Sequence, residues 1–178
     1  MRFYELTTPT NIIPEPKECI FTSHKTHRIK KIKKGDWIDL IAPCNLKIQA
    51  PVNCDNVVSF HTPKMPLGIA MELPKGYEAI VLPRSSTFKK FGVVLSNSAG
   101  VIDNSYCGNK DEWQAPFIGF RNSAINKGER ILQFRIQLSQ FATPWQKIKW
   151  LFVRKIKFVV VDILNNKERG GFGSTGYN

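Results

Sequence analysis

Alternating apolar and polar positions recur along the chain and predict short β-strands. Every second residue from 132 to 138 is apolar, while Gln133 and Arg135 lie between them. Residues 69–73 alternate in the same way. A period of two is expected of a strand that turns one face to a core. Because segments rich in proline and glycine separate these short runs, the pattern predicts an all-β sandwich or barrel.

One of these strands is followed by a segment with different chemistry. Residues 77–82 read as a strand, and Arg84-Ser85-Ser86 comes directly after it. A short helix is predicted over 87–91, closed by Gly92. Such a corner would present a guanidinium, two hydroxyls and free backbone N–H groups where anions are favoured.

A second polar segment lies shortly downstream. Asn97-Ser98-Ala99-Gly100 is a turn signal between two apolar runs. A single carboxylate, Asp103, follows it, and Tyr106 comes three residues later. Taken alone, Asp103 would be interpreted as an aspartate that caps a turn.

The C-terminal segment, RGGFGSTGYN, contains four glycines in ten residues and is too permissive for a core element. Arg169 can bind phosphate as a fork, and Phe172 can stack on a flat ring. Ser174 and Thr175 can donate hydrogen bonds to anionic oxygens. These properties predict a lid over a phosphorylated, ring-bearing ligand, and the alternative is a frayed polar terminus.

Composition is that of an ordinary globular domain, with 42% hydrophobic and 22% charged residues in a chain of 178. No apolar run is long enough to cross a bilayer and residues 1–20 lack the hydrophobic region of a signal peptide, so we expect a cytoplasmic protein. The four cysteines form no CxxC pair, and His24 and His27 have no cysteine or carboxylate companions. Structural zinc and disulfides are therefore not expected.

The net charge of +12 comes from two short stretches. Residues 25–34 contain six Lys or Arg and residues 147–157 contain five, without an acid in either. The rest of the chain is nearly neutral, with 15 basic and 14 acidic residues. The stretches are either a nucleic-acid or anionic-membrane surface or a solvated face. The second has apolar residues at helical spacing and is a candidate amphipathic helix, with a strand expected over 158–163.

Together, five segments resemble the trimeric dUTPase family, in the order of the family's motifs and in the form seen in its Bacillus-type and phage branch. They are GDWIDLIA (35–42), PRSS (83–86), NSAGVIDNSYCG (97–108), GERILQ (128–133) and RGGFGSTG (169–176). The resemblance implies a jelly-roll-like β barrel or sandwich with one short helix, assembled as a homotrimer. It divides the chain into a β domain (1–168), including an extension without clear counterpart (1–24), and a flexible lid (169–178).

The resemblance also implies the reaction, hydrolysis of dUTP to dUMP and pyrophosphate. Asp103 matches the family's catalytic base, which orients and polarises the water that attacks the α-phosphate. Mg²⁺ is the expected cofactor, and it prefers phosphate oxygens and retained waters to a protein cage. Asp39 matches the residue that holds this metal shell through water, without being a direct ligand.

Further positions follow from the same motifs. The uracil and deoxyribose pocket is expected at Asn97, Gly100, Tyr106 and Phe172, with Tyr106 leaving no space for a 2′-hydroxyl. Arg130 is expected to be a structural arginine of a turn. The predicted phosphate-binding residues are Arg84, Ser85, Ser86, Gln133, Arg169, Ser174 and Thr175.

The chain departs from the family at two places. Family members generally place two more residues between the tail arginine and the aromatic than Arg169-Gly-Gly-Phe172 does. After Tyr106 the family has Arg-Gly-Glu where this chain has Cys107-Gly108-Asn109.

Two other functions compete with dUTP hydrolysis. The first is a dCTP deaminase of the same superfamily, which also carries Arg-Ser-Ser and would release ammonia. The second is a regulatory or nucleic-acid-binding module that uses the basic stretches without catalysis, and it predicts salt-sensitive DNA binding.

Overall fold

A computed structural model describes residues 19–23, 29–31, 36–152 and 156–171. These residues form fifteen strands and two helices, mostly short and joined by tight turns. In chain order they are β1 (Cys19–Ser23), β2 (Ile29–Lys31), β3 (Ile38–Ile41), β4 (Leu46–Ile48), β5 (Val52–Cys54), β6 (Val57–Ser59), β7 (Lys64–Pro66), β8 (Ile69–Glu72), β9 (Tyr77–Pro83), α1 (Thr87–Phe91), β10 (Val93–Leu95), β11 (Gly100–Asp103), β12 (Gln114–Gly119), β13 (Ser123–Ile125), β14 (Arg130–Leu138), α2 (Pro144–Phe152) and β15 (Phe158–Val161).

The largest sheet has five strands in the order β11-β9-β14-β3-β2, and every neighbouring pair is antiparallel. Two three-stranded sheets, β15-β1-β8 and β10-β12-β7, accompany it, with the two-stranded pairs β13-β4 and β5-β6. Each sheet is open within the described residues. The all-β prediction is therefore confirmed, in the form of packed sheets and without a closed barrel among these residues.

One apolar core joins these sheets. Phe134 of β14 makes edge-to-face contacts with Trp113 and with Phe158 of β15, at ring-centroid distances of 5.2 and 6.3 Å. Because Phe134 and Trp113 are fully buried and Phe158 nearly so, these rings fix the central sheet against its neighbour.

The predicted alternation is confirmed in β14, with one exception. Leu132, Phe134 and Ile136 are buried, and Arg135 between them is exposed. Ile131 is buried as well, because the pairing with β3 shifts register between Arg130 and Leu132. A bulge of this kind lets two consecutive residues point inward, which a period of two does not predict.

The strand and helix around Arg84 are also confirmed. β9 begins at Tyr77 as expected and extends to Pro83, and α1 covers Thr87–Phe91. Gly92 ends the helix in the left-handed conformation, with φ of 64°. The Arg84-Ser85-Ser86 segment therefore lies at a fixed corner between a strand and a helix.

The structure adds a second helix, α2, to the one in the fold prediction. It overlaps the first part of the second basic stretch, which was a candidate amphipathic helix, and β15 follows as expected. Trp150 packs on Tyr77 with ring centroids 5.7 Å apart, while Trp145, Leu151 and Phe152 remain exposed. Neither helix in the described part of the chain has the length and apolar character that a membrane crossing requires.

Several predictions fall wholly or partly outside the described residues. Phe172, Ser174 and Thr175 do so, as do His24 and His27. Of the extension 1–24 the structure describes β1, which pairs with β8 and β15 and so belongs to a sheet of the domain. Of the first basic stretch it describes only β2.

Candidate functional site

The first cluster of predicted site residues surrounds Asp39 on β3. Its carboxylate is fully buried between two guanidiniums, with Arg84 Nε 2.8 Å from Oδ1 and Arg130 Nη1 3.2 Å from Oδ2. Oδ1 of Asp39 accepts no hydrogen bond of suitable geometry from the described residues. Its contact with Arg84 is therefore an ion pair without a hydrogen bond. One carboxylate between two guanidiniums leaves a net positive charge, which favours an anionic ligand.

Thr87 holds the corner that carries Arg84. Its buried hydroxyl accepts a hydrogen bond from the Arg84 backbone N–H at 3.0 Å and donates to the Ile131 carbonyl at 2.7 Å. Ser85 and Ser86 are exposed, and Ser86 stands at the N-cap of α1 without a side-chain capping bond. The corner is rigid while its two hydroxyls stay accessible to a ligand.

Gln133 lies beside this corner. It pairs with Asp39 on one side and Leu82 on the other, and its side-chain amide donates to the Pro83 carbonyl at 3.3 Å. Of the predicted phosphate-binding residues, the structure thus brings together those of 84–86 and Gln133. Arg130, for which we expected a structural role in a turn, is the first residue of β14 and contacts Asp39.

The second cluster surrounds Asp103, at the end of β11. Oδ1 accepts hydrogen bonds from the N–H and hydroxyl of Ser105, and Oδ2 lies 2.6 Å from Arg169 Nη1. Partial burial raises the pKa of Asp103, but the Ser105 hydrogen bonds and the Arg169 charge outweigh it, so the pKa lies below its ordinary value of 3.8. Asp103 is therefore ionised at neutral pH and half exposed.

Tyr106 forms a wall next to Asp103. Its ring packs against the core, and its hydroxyl donates to the Glu112 carbonyl at 3.0 Å. Burial raises the pKa of Tyr106, and the charges of Asp111 and Glu112 add to the effect. The phenol of Tyr106 therefore stays neutral at physiological pH.

Asn97 lies in the turn that links β10 to β11, and Gly100 is the first residue of β11. Asn97 is exposed and Ser98 has φ of 60°. A Cβ added at Gly100 would lie 3.2 Å from the Val81 Cβ, so glycine permits close strand approach here. β10 and β11 pair in different sheets, so this turn is a corner between sheets and not the tip of a hairpin.

The two clusters are separate within one chain. Asp103 pairs with Glu78 on β9, whereas Gln133 donates to Pro83, five residues further along the same strand. At roughly 3.3 Å per residue this is about 16 Å. A single chain therefore does not bring the predicted base to the predicted phosphate-binding corner.

Sequence reasoning missed Asp111, which lies in the loop after Tyr106. Its side chain is almost fully buried and accepts backbone N–H groups from Gly108, Arg169 and Gly170, at 2.8–2.9 Å. Burial raises the pKa of Asp111, but the hydrogen bonds lower it by more than burial raises it. The pKa of Asp111 therefore lies below its ordinary value of 3.8. The only sequence signal is the Gly108-x-x-Asp111 turn spacing, since the other two donors lie 58 and 59 residues away.

Comparison with known proteins identifies the fold and the motifs. The sequence model of the dUTPase family matches residues 38–140, more than half of the chain. The chain belongs to the dUTPase family. It is 45% identical over 149 residues to the SPbeta prophage-derived deoxyuridine 5′-triphosphate nucleotidohydrolase YosS of Bacillus subtilis (strain 168), covering 84% of this chain and 89% of that protein.

Other relatives agree. A deoxyuridine 5′-triphosphate nucleotidohydrolase of Orientia tsutsugamushi (strain Ikeda) is 37% identical over 120 residues, covering 65% of this chain and 69% of the relative. The crystal structure of dUTPase from Streptococcus mutans superimposes with a TM-score of 0.57 at 21% identity, covering 71% of this chain and 99% of that one. The predicted fold and family are thereby confirmed.

A metal caged by protein does not fit the described residues. They contain no group of three His, Cys, Asp or Glu side chains that would hold an ion. Asp39 is enclosed by Arg84 and Arg130. The structure of a mutant dUTPase from phage phi11 of S. aureus is similar in fold, with a TM-score of 0.56 at 13% identity, covering 71% of this chain and 94% of that one. That structure reveals how a structural Mg(II) ion is coordinated in the phage protein.

Proposed function

We propose that this dUTPase hydrolyses dUTP to dUMP and pyrophosphate, with Asp103 as the base that activates water for attack on the α-phosphate. The observation that carries the proposal is the state of Asp103, an ionised, half-exposed carboxylate at a strand end beside the Tyr106 wall. A carboxylate in this state is ionised and can accept a hydrogen bond from the attacking water, which orients and polarises it.

The two oxygens of Asp103 have different roles in this proposal. Oδ1 is held by the N–H and hydroxyl of Ser105, which fixes the plane of the carboxylate. Oδ2 contacts Arg169 and becomes free when this guanidinium turns to the negatively charged triphosphate. Oδ2 is thus the atom that receives the proton of the attacking water.

The phosphates are bound, in our proposal, by the corner of Arg84, Ser85 and Ser86 together with Gln133. Asp39 orients Arg84 from behind through its buried carboxylate. Arg169, Ser174 and Thr175 of the tail add donors from the other side once the lid closes.

Uracil and deoxyribose occupy the pocket between the Asn97–Gly100 turn and Tyr106. Asn97 and backbone groups of the turn read the uracil edge, and Gly100 allows the close approach. Tyr106 excludes a 2′-hydroxyl because its ring is packed and its hydroxyl already donates to Glu112. Phe172 stacks over the base in this proposal, as the lid's aromatic residue.

Bound with the substrate, Mg²⁺ would supply neutralisation of the triphosphate charge, and Asp39 is the residue that would hold its water shell. The residues fit this mode because they supply a cationic corner and, among those the structure describes, no cage.

A homotrimer completes the site. The separation of Asp103 from the Arg84 corner within one chain supports a site in which one subunit supplies the base and another the phosphate-binding corner. A symmetric ring of three then contains three such sites. We place this nucleotide-metabolising enzyme in the cytoplasm, with dUTP as substrate and no membrane partner.

The decisive experiment measures pyrophosphate release in the presence of Mg²⁺ from dUTP, dTTP, dCTP and UTP. We expect turnover of dUTP alone, and a loss of about 10²–10⁴-fold in Asp103→Asn. The control is Asp55→Asn, an exposed turn aspartate whose φ of 52° asparagine tolerates.

Ammonia release from dCTP would instead identify a deaminase, and salt-sensitive DNA binding without dUTP turnover would identify a binding module. The hydrolysis proposal fails if the wild type does not turn over dUTP, and the role of Asp103 fails if Asp103→Asn is unimpaired.

A further inference from the structure

The side chain of Tyr106 is held at its hydroxyl by the loop that follows it. The hydroxyl donates to the Glu112 carbonyl at 3.0 Å, six residues further along the chain. This carbonyl belongs to a segment, 111–113, that lies outside the strands. The position of the Tyr106 hydroxyl therefore depends on what fixes Glu112.

The Glu112 side chain is bound to the turn between β7 and β8. Its Oε1 accepts the backbone N–H of Gly68 at 2.6 Å. Gly68 is buried and has φ of 73°, in the left-handed region that favours glycine. Because a buried N–H without an acceptor is costly, this contact stabilises both the turn and the position of Glu112.

Trp113 extends the same connection through its backbone. Its N–H donates to the Ile69 carbonyl, and its carbonyl accepts the N–H of Leu67, each at 2.8 Å. These two bonds and the contact of Glu112 with Gly68 join the loop to residues 67–69. The contact of Glu112 is the one that depends on a side chain, so a substitution can remove it alone.

The bond to Glu112 adds to the cost of displacing the Tyr106 ring. In the proposed function a 2′-hydroxyl is excluded because it would push this ring aside, and that movement breaks the bond. One hydrogen bond of this kind corresponds to roughly 2- to 10-fold in rate. Since dUTP has no 2′-hydroxyl and does not displace the ring, a weaker anchor favours UTP relative to dUTP.

We propose that Glu112 is a positioning residue that sets the discrimination between deoxyribose and ribose: its carboxylate, bound to Gly68, fixes the carbonyl that holds the Tyr106 hydroxyl. The proposal rests on the proposed function, because it assumes that Tyr106 packs against the sugar of dUTP. Glu112 acts through Tyr106 and not on the substrate itself.

Two variants of Glu112 separate a hydrogen-bonded anchor from a general change in the loop. Glu112→Met keeps the approximate size of the side chain but removes the acceptor, whereas Glu112→Gln keeps an oxygen that can accept the Gly68 N–H.

The matched control is Asn122→Ala. The Asn122 amide oxygen also accepts a backbone N–H from a distant segment, that of Ala50 at 2.8 Å. Glu112 precedes β12 and Asn122 follows it, and the six residues of this strand span about 20 Å. The control therefore loses the same kind of bond at the other end of β12.

The deciding measurement is the ratio of kcat/KM for UTP to kcat/KM for dUTP, at enzyme concentrations that detect slow turnover of UTP. We expect the ratio to rise about 3- to 10-fold in Glu112→Met and in Tyr106→Phe, because each weakens or removes the bond that resists displacement of the ring. In Glu112→Gln and Asn122→Ala it should stay within about twofold of the wild type. A general folding defect lowers turnover of both substrates in proportion. An unchanged ratio in Glu112→Met or Tyr106→Phe, or an equal rise in Glu112→Gln, overturns the proposal.

A double variant tests whether Glu112 acts through the Tyr106 hydroxyl. Adding Glu112→Met to Tyr106→Phe should raise the ratio by less than about a further twofold, because the bond that Glu112 positions is already lost. Multiplication of the two single effects would refute the connection.

Amide hydrogen exchange tests the anchor without catalysis. The Gly68 N–H should exchange at least about tenfold faster in Glu112→Met than in the wild type, Glu112→Gln or Asn122→Ala, compared at equal global stability. If Glu112→Met does not fold, Glu112→Asp takes its place, since its carboxylate is one methylene further from Gly68. Unchanged protection of Gly68 refutes the anchor. Absence of dUTP turnover in the wild type refutes the proposed function, whereas dUTP turnover with an unchanged ratio in Glu112→Met refutes the role of Glu112 alone.

Discussion

The guanidinium of Arg169 lies 2.6 Å from the carboxylate of Asp103. The first charged residue of the tail therefore neutralises the proposed base while no nucleotide is bound. A triphosphate carries more negative charge than one carboxylate, so in the proposed reaction we expect substrate binding to draw the arginine away from Asp103.

This contact predicts the pH behaviour of Asp103. Arg169→Gln removes a positive charge and a hydrogen bond that both stabilise the carboxylate, so the pKa of Asp103 in the ligand-free protein should rise. A pKa below 3.8 means that Asp103 stabilises the fold above that pH, and that this contribution is lost as the pH falls through the folded pKa. The free energy of unfolding should therefore fall less steeply with decreasing pH in Arg169→Gln than in the wild type.

Titration of the Asp103 carboxyl carbon by ¹³C NMR tests this prediction. Lys167→Gln is the control, because it removes the same charge from an exposed position two residues away. Identical titration curves for the wild type and Arg169→Gln would show that the ion pair is absent in solution.

Mixed subunits test where the site is assembled. Chains that carry only Asp103→Asn and chains that carry only Arg84→Ala should each be nearly inactive. If base and corner come from different subunits, every mixed trimer contains one intact site, and equal mixing restores about a quarter of wild-type activity.

The mixture should be refolded or co-expressed so that subunits exchange. Two chains with Asp103→Asn and Asp103→Ala, mixed in the same way, serve as the control and should gain nothing. Persistent inactivity of the first mixture, despite proven exchange, would mean that Asp103 and Arg84 act within one subunit.

Much of this arrangement follows from local sequence, and the rest depends on distant contacts. The corner at Arg84 was predictable because a strand, three polar residues, a short helix and a closing Gly92 are consecutive. The burial of Ile131 was not, since it depends on a register shift against β3. Asp111 was not predictable either, because its hydrogen-bond donors Arg169 and Gly170 are 58 and 59 residues away in the sequence.

Asp39 should matter for both stability and substrate binding. Asp39→Asn keeps the side-chain shape but leaves Arg84 and Arg130 without their counter-charge. We expect a loss of about 2–3 kcal/mol in the free energy of unfolding, less than for a fully buried pair because both arginines are partly exposed. The KM for dUTP should rise as Arg84 loses its orientation.

Urea unfolding and steady-state kinetics at saturating Mg²⁺ check these two effects. Asp36→Asn removes an exposed aspartate three residues away and should change neither. A stable Asp39→Asn protein with wild-type KM would show that Arg84 is oriented by other contacts.

Gly92 and Gly128 form a matched pair for the corner after β9. Both have positive φ, 64° and 91°, so alanine costs about 1–2 kcal/mol of backbone strain at either position. At Gly92 the new Cβ would also lie 2.5 Å from the Arg121 Cγ, whereas nothing lies within 4 Å at Gly128. Arg121 donates to the Lys89 and Lys90 carbonyls at the end of α1, so displacing it loses two further hydrogen bonds.

Gly92→Ala should therefore lower the free energy of unfolding by about 1–3 kcal/mol more than Gly128→Ala does, as measured by urea denaturation. Because α1 begins at the exposed serines of the Arg84 corner, Gly92→Ala should also raise the KM for dUTP, and Gly128→Ala should not. Equal destabilisation by the two alanines would mean that Arg121 moves aside without losing its bonds to α1, and that strain alone sets the cost.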